Sequence, residues 1–539
     1  MFTRDRVRLD ADIYAPDAAG EFPVLLMRQP YGRAIASTVV YAHPIWYAAH
    51  GYVVVIQDVR GRGTSEGDFH LFEHEVTDGE DTVAWAAQLP QSNGQVGMYG
   101  FSYQGMTQLY AAQAKPTALK AIAPAMVGYN LYEDWAYENG ALLLQAGLGW
   151  AIQLAAETAR LKGDEIAYEA LFKASRHLPL SEPIPTCPEV LKHHAPDSFF
   201  HDWVAHPQWD DYWQSLTPDL SQIDLPMLHI GGWFDPYLRG NLRLFKQMRD
   251  RSQHVQHLWI GPWGHIPWGR KVGQRDFGSE ANTPIDRLQI RWFDHHLKHS
   301  DPDLAATPSV CLFEMGGDRW RQFSHWPQVT PTPYWLSSTG LAGLDQTDGR
   351  LTQAVVDETD NSPDTFVHDP WRPAPSLGGH AANPAGSFDR SALDCRSDVL
   401  TYTSEPLATS IAIAGEIQVE LYCTADAPSF DLCAIVSEVR PDGSVYNLTQ
   451  GYCRHHQAQA DPGQIIIPLQ PTCFRLPSGH CLRLSISAAC FPAYSVNPGF
   501  VADPATVRTM NAKIITLVIY HDRDRPSKLK LPIGEVVRQ

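Results

Sequence analysis

The stretch Gly97-Met98-Tyr99-Gly100-Phe101-Ser102-Tyr103-Gln104-Gly105 decides how the fold is read. A short apolar run leads into it, and Met106 to Ala112 leaves it with helical character. A serine between glycines at a strand-to-helix turn has the pattern of a nucleophile elbow. The sharp turn pushes the side chain out of the sheet, and only small neighbours let the two backbones come that close. The spacing is G-x-S-x-x-G, one residue wider than G-x-S-x-G, so on the motif alone an ordinary turn serine stays open.

Working outward, Val24 to Met27, Val53 to Ile56, Val96 to Gly100 and Leu119 to Ala125 are short apolar runs. Runs of this kind suit strands buried on both faces of a parallel sheet. Ala36 to His50 and Asp78 to Gln88 read as helices between them, and Val7 to Tyr14 alternates like a half-exposed antiparallel strand. The strand–helix rhythm argues for a doubly wound α/β domain. It breaks from Asn130 to Ser175, where two or three helices fit, and again over the Pro-, Trp- and His-rich segment 179–226. It resumes with strands at Pro226 to Gly232 and His257 to Ile260 and helices at Leu242 to Arg249 and Asp286 to Lys298. Beyond Asp301, short alternating segments such as Val310 to Phe313, Ile411 to Tyr422 and Leu432 to Val439 predict a β-sandwich or jelly roll, with 346–387 as a long wrapping connection. The expected architecture is an α/β-hydrolase domain (1–129 and 225–300), an inserted helical cap (130–224) and a C-terminal all-β jelly-roll domain (301–539).

A chain of 539 residues with 44% hydrophobic and 19% charged residues is globular and too long for one core. Its net charge of −18 disfavours nucleic acid and anionic membranes as partners. No apolar stretch approaches the roughly 18 residues of a membrane span, and the N-terminus lacks a signal-peptide pattern, so a cytoplasmic protein is expected. Nine cysteines without a C-x-x-C pair make a zinc site unexpected and predict reduced, buried thiols, with a few disulfides as the alternative. The pairs His193-His194 and His295-His296 are adjacent, not at i, i+4, so no metal is assigned. No cofactor is expected, and a homo-oligomer is left open.

A nucleophilic serine needs a base, and the base needs an acid to orient it. On this kind of sheet the chain order is Ser, then Asp or Glu, then His, on loops after later strands. The strand at Met227 runs into Gly231-Gly232-Trp233-Phe234-Asp235, and the next into Gly261-Pro262-Trp263-Gly264-His265. Asp235 and His265 thus follow consecutive strand ends, where sites in open α/β sheets assemble. Either residue alone could be a loop group bonded to backbone; together with Ser102 the order is that of a catalytic triad. The backbone N–H of Tyr103 is one candidate oxyanion donor. The loop Arg28-Gln29-Pro30-Tyr31-Gly32-Arg33 lacks a glycine run that would supply the other, so the Tyr31 hydroxyl is the candidate, with an ordinary loop tyrosine as the alternative.

The segments Gly100 to Gly105, Arg28 to Gly32 and Asp58-Val59-Arg60-Gly61-Arg62-Gly63-Thr64-Ser65-Glu66-Gly67 resemble the cocaine esterase and α-amino-acid ester hydrolase family. The resemblance extends through Gly231 to Asp235 and Gly261 to His265 to Ser437 to Gly443 and Phe491 to Tyr494, nearly the whole chain. The wider relatives are X-Pro dipeptidyl peptidases and glutaryl-cephalosporin acylases. The resemblance implies the three-part architecture above and an oxyanion hole made by Tyr31 and the N–H of Tyr103. In family members that act on α-amino-acid esters, acids two and three positions after the triad Asp help hold the substrate ammonium. Here those positions are Tyr237 and Leu238, and Glu133, Asp134 and Glu138 read as a helix's solvated face. Trp135, Tyr137, Phe234 and Tyr237 are the candidates for an aromatic or apolar acyl pocket, with core packing as the alternative.

The glycines at 61, 63 and 67 do not complete G-x-G-x-x-G, because position 66 is Glu66; they suggest a turn beside the site, with Asp58 and Arg60 paired. The expected activity is a serine hydrolase cleaving small-molecule carboxylic esters, and amides as an extension. An X-Pro dipeptidyl peptidase or a glutaryl/β-lactam acylase is the alternative within enzymes. An inactive hydrolase that binds through its jelly roll is the alternative outside them.

Overall fold

The computed structural model describes residues 1–300, 304, 307–354, 362–456 and 462–534. The first 126 residues build strands β1 (Ala11–Tyr14), β2 (Phe22–Gln29), β3 (Val53–Asp58), β4 (Ser92–Phe101) and β5 (Leu119–Ala125), with helices α1 (Pro44–Ala49), α2 (Glu75–Ala86) and α3 (Tyr103–Gln113) between them. Strands β2 to β5 pair in parallel and β1 runs antiparallel along β3. Their unbroken apolar runs have a direct cause. Val24, Leu26, Val53 and Val55 bury against α2 and α3 on one face, while Leu25, Met27, Val54 and Ile56 bury against α1 and the later helix α10 (Ile285–Lys298) on the other. A sheet covered twice has no wet face, so alternation disappears.

Residues 131–216 leave the sheet. A π-helical turn at Leu131–Ala136 leads into a small hairpin, β6 (Tyr137–Glu138) and β7 (Ala141–Leu142), joined through Asn139-Gly140, both at positive φ. Asn-Gly is the preferred two-residue hairpin loop, which explains why this part is not helical as expected. Helices α4 (Leu144–Lys162), α5 (Glu165–Arg176), α6 (Glu189–His194), α7 (Phe199–Ala205) and α8 (Asp211–Leu216) follow. Helix α4 stops at Gly163, in the left-handed conformation, and α5 starts on Asp164, whose side chain accepts from the Ala167 N–H at 3.0 Å.

The chain returns with β8 (Met227–Phe234), α9 (Leu238–Arg251) and β9 (Gln256–Gly264), which extend the parallel sheet past β5. After the small hairpin β10 (Lys271–Val272) and β11 (Arg275–Asp276), strand β12 (Val310–Glu314) adds in parallel to β9 and β13 (Arg319–Phe323) in antiparallel to β12. The first sheet therefore has nine strands, in the order β1-β3-β2-β4-β5-β8-β9-β12-β13. Val310 to Phe313, expected among the C-terminal strands, belongs to this sheet. Its five residues are all buried, as an inner strand of a covered sheet requires. The boundary expected at 300/301 falls at residues outside the described set, as does part of the 346–387 connection.

The rest is all β apart from short helical turns. Ile411–Ala425 pairs with Gly463–Leu476, and Phe430–Val439 with Val445–His455, within an eleven-stranded sheet. One apolar core joins it to the first sheet, running from Phe234 and Leu258 through Phe313 to Phe474 and Leu476. Cys311, Cys423, Cys433, Cys453, Cys473 and Cys490 are buried in the protein as free thiols. No helix among the described residues is long and apolar enough to cross a membrane.

Candidate active site

Strands β2, β4, β8 and β9 run parallel, so the loops after them share one edge of the sheet. Ser102, Asp235 and His265 are the first residues of the loops after β4, β8 and β9, and Tyr31 is the second residue after β2. Ser102 sits between β4 and α3 at φ 59°, ψ −126°, a conformation that costs a non-glycine residue about 1–3 kcal/mol. The turn is held by the Ser102 N–H donating to the Ala125 carbonyl at 2.9 Å, and by Gly105 and Met106 N–H groups donating back to the Ser102 carbonyl at 2.9 and 3.0 Å. The wide glycine spacing has a packing cause. A Cβ at Gly105 would stand 2.2 Å from Val127 Cγ2 and 3.0 Å from the Ala125 carbonyl oxygen; one at Gly100 would stand 2.5 Å from the Gln104 Cβ. As the first residue of α3, Tyr103 has a backbone N–H with no intrahelical acceptor.

Asp235 is fully buried. Its Oδ1 accepts from His265 Nδ1 at 2.8 Å, which leaves Nε2 of the partly exposed imidazole for other work. The ring of His265 packs 5.5 Å from that of Phe101, the neighbour of Ser102, and edge-on at 5.0 Å to Tyr237. Gln470, from the C-terminal sheet, donates its amide to the carbonyls of both Trp233 and Asp235 at 3.0 Å. The Asp235 loop is therefore clamped by a residue 235 positions away, which local sequence cannot disclose.

Tyr31 is positioned by its own motif. Its N–H donates to Gln29 Oε1 at 2.8 Å, and the Gln29 amide donates to Asp58 Oδ1 at 2.9 Å. The hydroxyl interacts with the Ser102 side chain and accepts from Trp150 Nε1 at 3.1 Å. Burial pushes the phenol up to about 12, against the opposing pull of the Trp150 bond, the Arg62 charge and the Ser102 bond. Trp150 lies on α4 and was not singled out in the sequence. Its only signal was an indole in the inserted helices, indistinguishable there from core. Because it fills a lone pair of the Tyr31 oxygen, Trp150→Phe should leave that phenol free to turn. A loss of roughly 10-fold in kcat is expected, with KM for a small acetate ester nearly unchanged; stopped-time ester assays check this.

The pocket candidates divide. Trp135 stacks on Tyr237 at 4.3 Å and meets Trp150 at 5.3 Å, so these three rings form a wall continuing to His265. Tyr137 and Phe234 are not part of it. Tyr137 donates to the Trp203 carbonyl at 2.9 Å and packs on Tyr132 and Trp213 inside the helical insert. Phe234, the last residue of β8, packs with its neighbour Trp233 in the core shared with the C-terminal sheet, where the register of β8 against β9 is irregular.

Asp134 and Glu138 are fully buried, not a solvated face. Asp134 pairs with Arg243 at 2.5 Å. Glu138 takes Arg239 at 2.5 Å, Tyr494 at 2.5 Å and His380 at 2.9 Å on one oxygen. Glu133, at the surface, pairs with Arg243 as well. Asp58 and Arg60 are each ion-paired, but with Arg33 and with Asp5 and Asp78, respectively. A Cβ at Gly63 would stand 1.9 Å from the Asp58 carboxylate, so the glycines serve this turn.

Residues 5–267 match the model of the X-Pro dipeptidyl-peptidase (S15) family, and residues 303–530 match that of the X-Pro dipeptidyl-peptidase C-terminal non-catalytic domain. The cocaine esterase of a Rhodococcus species is 31% identical over 98% of this chain and 97% of its own. The chain belongs to the cocaine esterase and X-Pro dipeptidyl-peptidase (S15) family. Solved structures of similar fold include an aminopeptidase of a Thaumarchaeota archaeon (TM-score 0.83, 22% identity, 99% of this chain and 95% of that one). An α-amino acid ester hydrolase is similar too (TM-score 0.81, 22% identity, the same coverage). In this chain the carboxylates of Glu138 and Asp134 are committed to Arg239 and Arg243.

Proposed function

We propose that the protein is a serine hydrolase of carboxylic esters, built as an α/β-hydrolase domain with a helical cap and a C-terminal jelly roll. Ser102 is the nucleophile, His265 the base, Asp235 its orienting acid, and Tyr31 with the N–H of Tyr103 the oxyanion donors. The reading is carried by the 2.8 Å bond between His265 Nδ1 and Asp235 on the same sheet edge as the strained Ser102. It is supported by membership of a family that includes an esterase. The domain reading is supported by helices over 144–216 inserted between β5 and β8, with the C-terminal part beginning after Phe323 instead of at 301, because β12 and β13 belong to the first sheet.

In the first step Ser102 Oγ bonds to the ester carbonyl carbon while His265 Nε2 takes its proton. The negative charge that develops on the carbonyl oxygen meets the Tyr31 O–H and the Tyr103 N–H. The bond to the leaving alkoxide breaks, and His265 returns the proton to it. Water, deprotonated by the same imidazole, then releases the acid from Ser102. The Trp135–Trp150–Tyr237 wall is the apolar side of the acyl pocket.

A fluorophosphonate probe should label Ser102, detectable by mass spectrometry of the modified peptide; an unlabelled Ser102 in folded protein would favour an inactive binding protein. Comparing esters with matching anilides separates an esterase from a peptidase or acylase. Tyr31→Phe should lower kcat roughly 100- to 1,000-fold, the cost of one oxyanion donor, and a near-normal rate would remove Tyr31 from the mechanism. With its phenol pushed up to about 12, Tyr31 stays a neutral donor in alkaline solution. So kcat should not decline between about pH 8 and 10, as it would if a phenol of ordinary pKa near 10 were essential.

A further inference from the structure

A cavity of about 270 Å³ lies between the helical insert and the C-terminal part. Leu144, Leu180 and Pro185 wall it from the insert, and Trp371, Phe491 and Phe500 from the C-terminal side. It is separate from the reacting edge of the sheet: none of Tyr31, Ser102, Asp235 and His265, and no ring of the Trp135–Trp150–Tyr237 wall, lines it. An apolar cavity of about 150 Å³ accepts one benzene ring, so this one has room for roughly two.

The polar groups on its wall, Ser429, Arg454 and His456, are ordered by one buried carboxylate. Asp431 takes Arg454 through both oxygens, at 2.9 and 2.8 Å, and so neutralises the guanidinium. Asn497 accepts the Gly499 N–H on its Oδ1 at 2.9 Å, which leaves its amide nitrogen to donate to Asp431 at 2.6 Å and to Ser429 Oγ at 2.9 Å. Ser429 is fully buried. With the Asn497 amide donating to it, its own O–H has one acceptor among the described residues, His456 Nδ1 at 3.1 Å. A neutral imidazole that accepts at Nδ1 carries its proton on Nε2. Burial, with the Arg454 charge beside it, pushes the His456 pKa below the usual histidine value, so the ring stays neutral. Each bond in the row Asp431–Asn497–Ser429–His456 polarises the next and strengthens the final N–H as a donor. That Nε2–H has no acceptor among the described residues.

We propose that this cavity is a second small-molecule site, which binds a neutral aromatic compound of one or two rings through a single carbonyl oxygen that accepts from His456. A charged ligand would shed its water with no counter-charge to meet it, because Arg454 is already paired. A flat ring gains more than a chain of equal size here, since Trp371, Phe491 and Phe500 can meet it edge-on or offset. The bound molecule touches both the insert and the C-terminal part, and undergoes no reaction. The site shares no residue with the reacting groups, so its failure would leave the reading of Ser102 untouched.

Benzophenone, a neutral two-ring ketone that bonds to nearby C–H groups under near-ultraviolet light, is the probe. Irradiated with the protein, it should label peptides from segments 180–186 and 491–512, mapped by mass spectrometry, equally with and without a fluorophosphonate on Ser102. Leu180→Trp, which fills the cavity from the insert side, should abolish this labelling. His456→Phe keeps a ring but loses the donor. It should raise the half-saturating benzophenone concentration roughly 3- to 10-fold, the worth of one hydrogen bond, while diphenylmethane, which lacks the carbonyl, competes as it does in the native protein. Both variants should hydrolyse a short-chain ester at the native rate, which shows that they are folded. Labelling confined to other segments, labelling lost once Ser102 is blocked, or a His456→Phe variant that binds benzophenone as the native protein does overturns the proposal. If a variant does not fold, the label positions on the native protein decide alone.

Discussion

Replacing Ser102 with alanine is expected to lower kcat for a chromogenic short-chain ester by on the order of 10⁶-fold. Alanine removes the hydroxyl that would form the acyl-enzyme, and the imidazole of His265 is left without its nucleophile. The thermal midpoint should barely move. Alanine keeps the backbone at φ 59°, and the Ser102 turn is held by main-chain bonds that the substitution leaves intact. Ser102→Gly separates strain from chemistry: glycine adopts this conformation freely, so the protein should gain roughly 1 kcal/mol of stability while staying inactive. Paired measurements of ester turnover and calorimetric unfolding check both. An alanine variant with more than a trace of activity would place the nucleophile elsewhere.

The second large effect concerns stability. Glu138→Ala should destabilise the protein by about 3–5 kcal/mol, because it strands the buried charge of Arg239 and removes the acceptor of Tyr494 and His380. These partners come from three places: Glu138 from the hairpin in the helical insert, Arg239 from the helix just after Asp235, and His380 and Tyr494 from the C-terminal part. One carboxylate thus ties all three together. Burial alone would raise its pKa, but Arg239 and His380 prevail and hold it down to about 2. A group depressed on folding stabilises above its unfolded value of about 4.5, and that stability is lost as pH falls from there toward about 2. The gap in unfolding free energy between the native protein and Glu138→Gln should accordingly shrink over this acid window. A constant gap would mean that the carboxylate's charge is not what matters.

Much of the fold could be read locally. The buried parallel strands announce themselves as Val53-Val54-Val55-Ile56 or Leu119 to Ala125, because a strand covered on both faces cannot afford polar residues. Ser102, Asp235 and His265 could be found because each immediately follows such a strand, and parallel strands deliver their ends to one edge. Tyr31 was legible from its motif, though not the Gln29–Asp58 bracket that fixes it. The insert was read less well. Nothing in Tyr137 or Phe234 distinguishes a pocket ring from a core ring, and Glu133, Asp134 and Glu138 carry the spacing of a wet helix face. Their partners, Arg239 and Arg243, lie about a hundred residues on, at helix positions equally fit for solvent.

What residue order and periodicity decided is the set of strands, their common edge and the candidate reacting groups in the loops there. These follow from local chemistry: apolar runs, glycines where a Cβ would collide, and polar residues at strand ends. What required the folded chain is every contact that sequence distance conceals. Trp150 comes to Tyr31 from 119 positions away, Gln470 to the Asp235 loop from 235, and the Leu154 carbonyl to Arg62 from 92. The physical reason is the same in each case. A side chain carries its hydrogen-bonding capacity with it, but only packing selects which partner is close enough to use it.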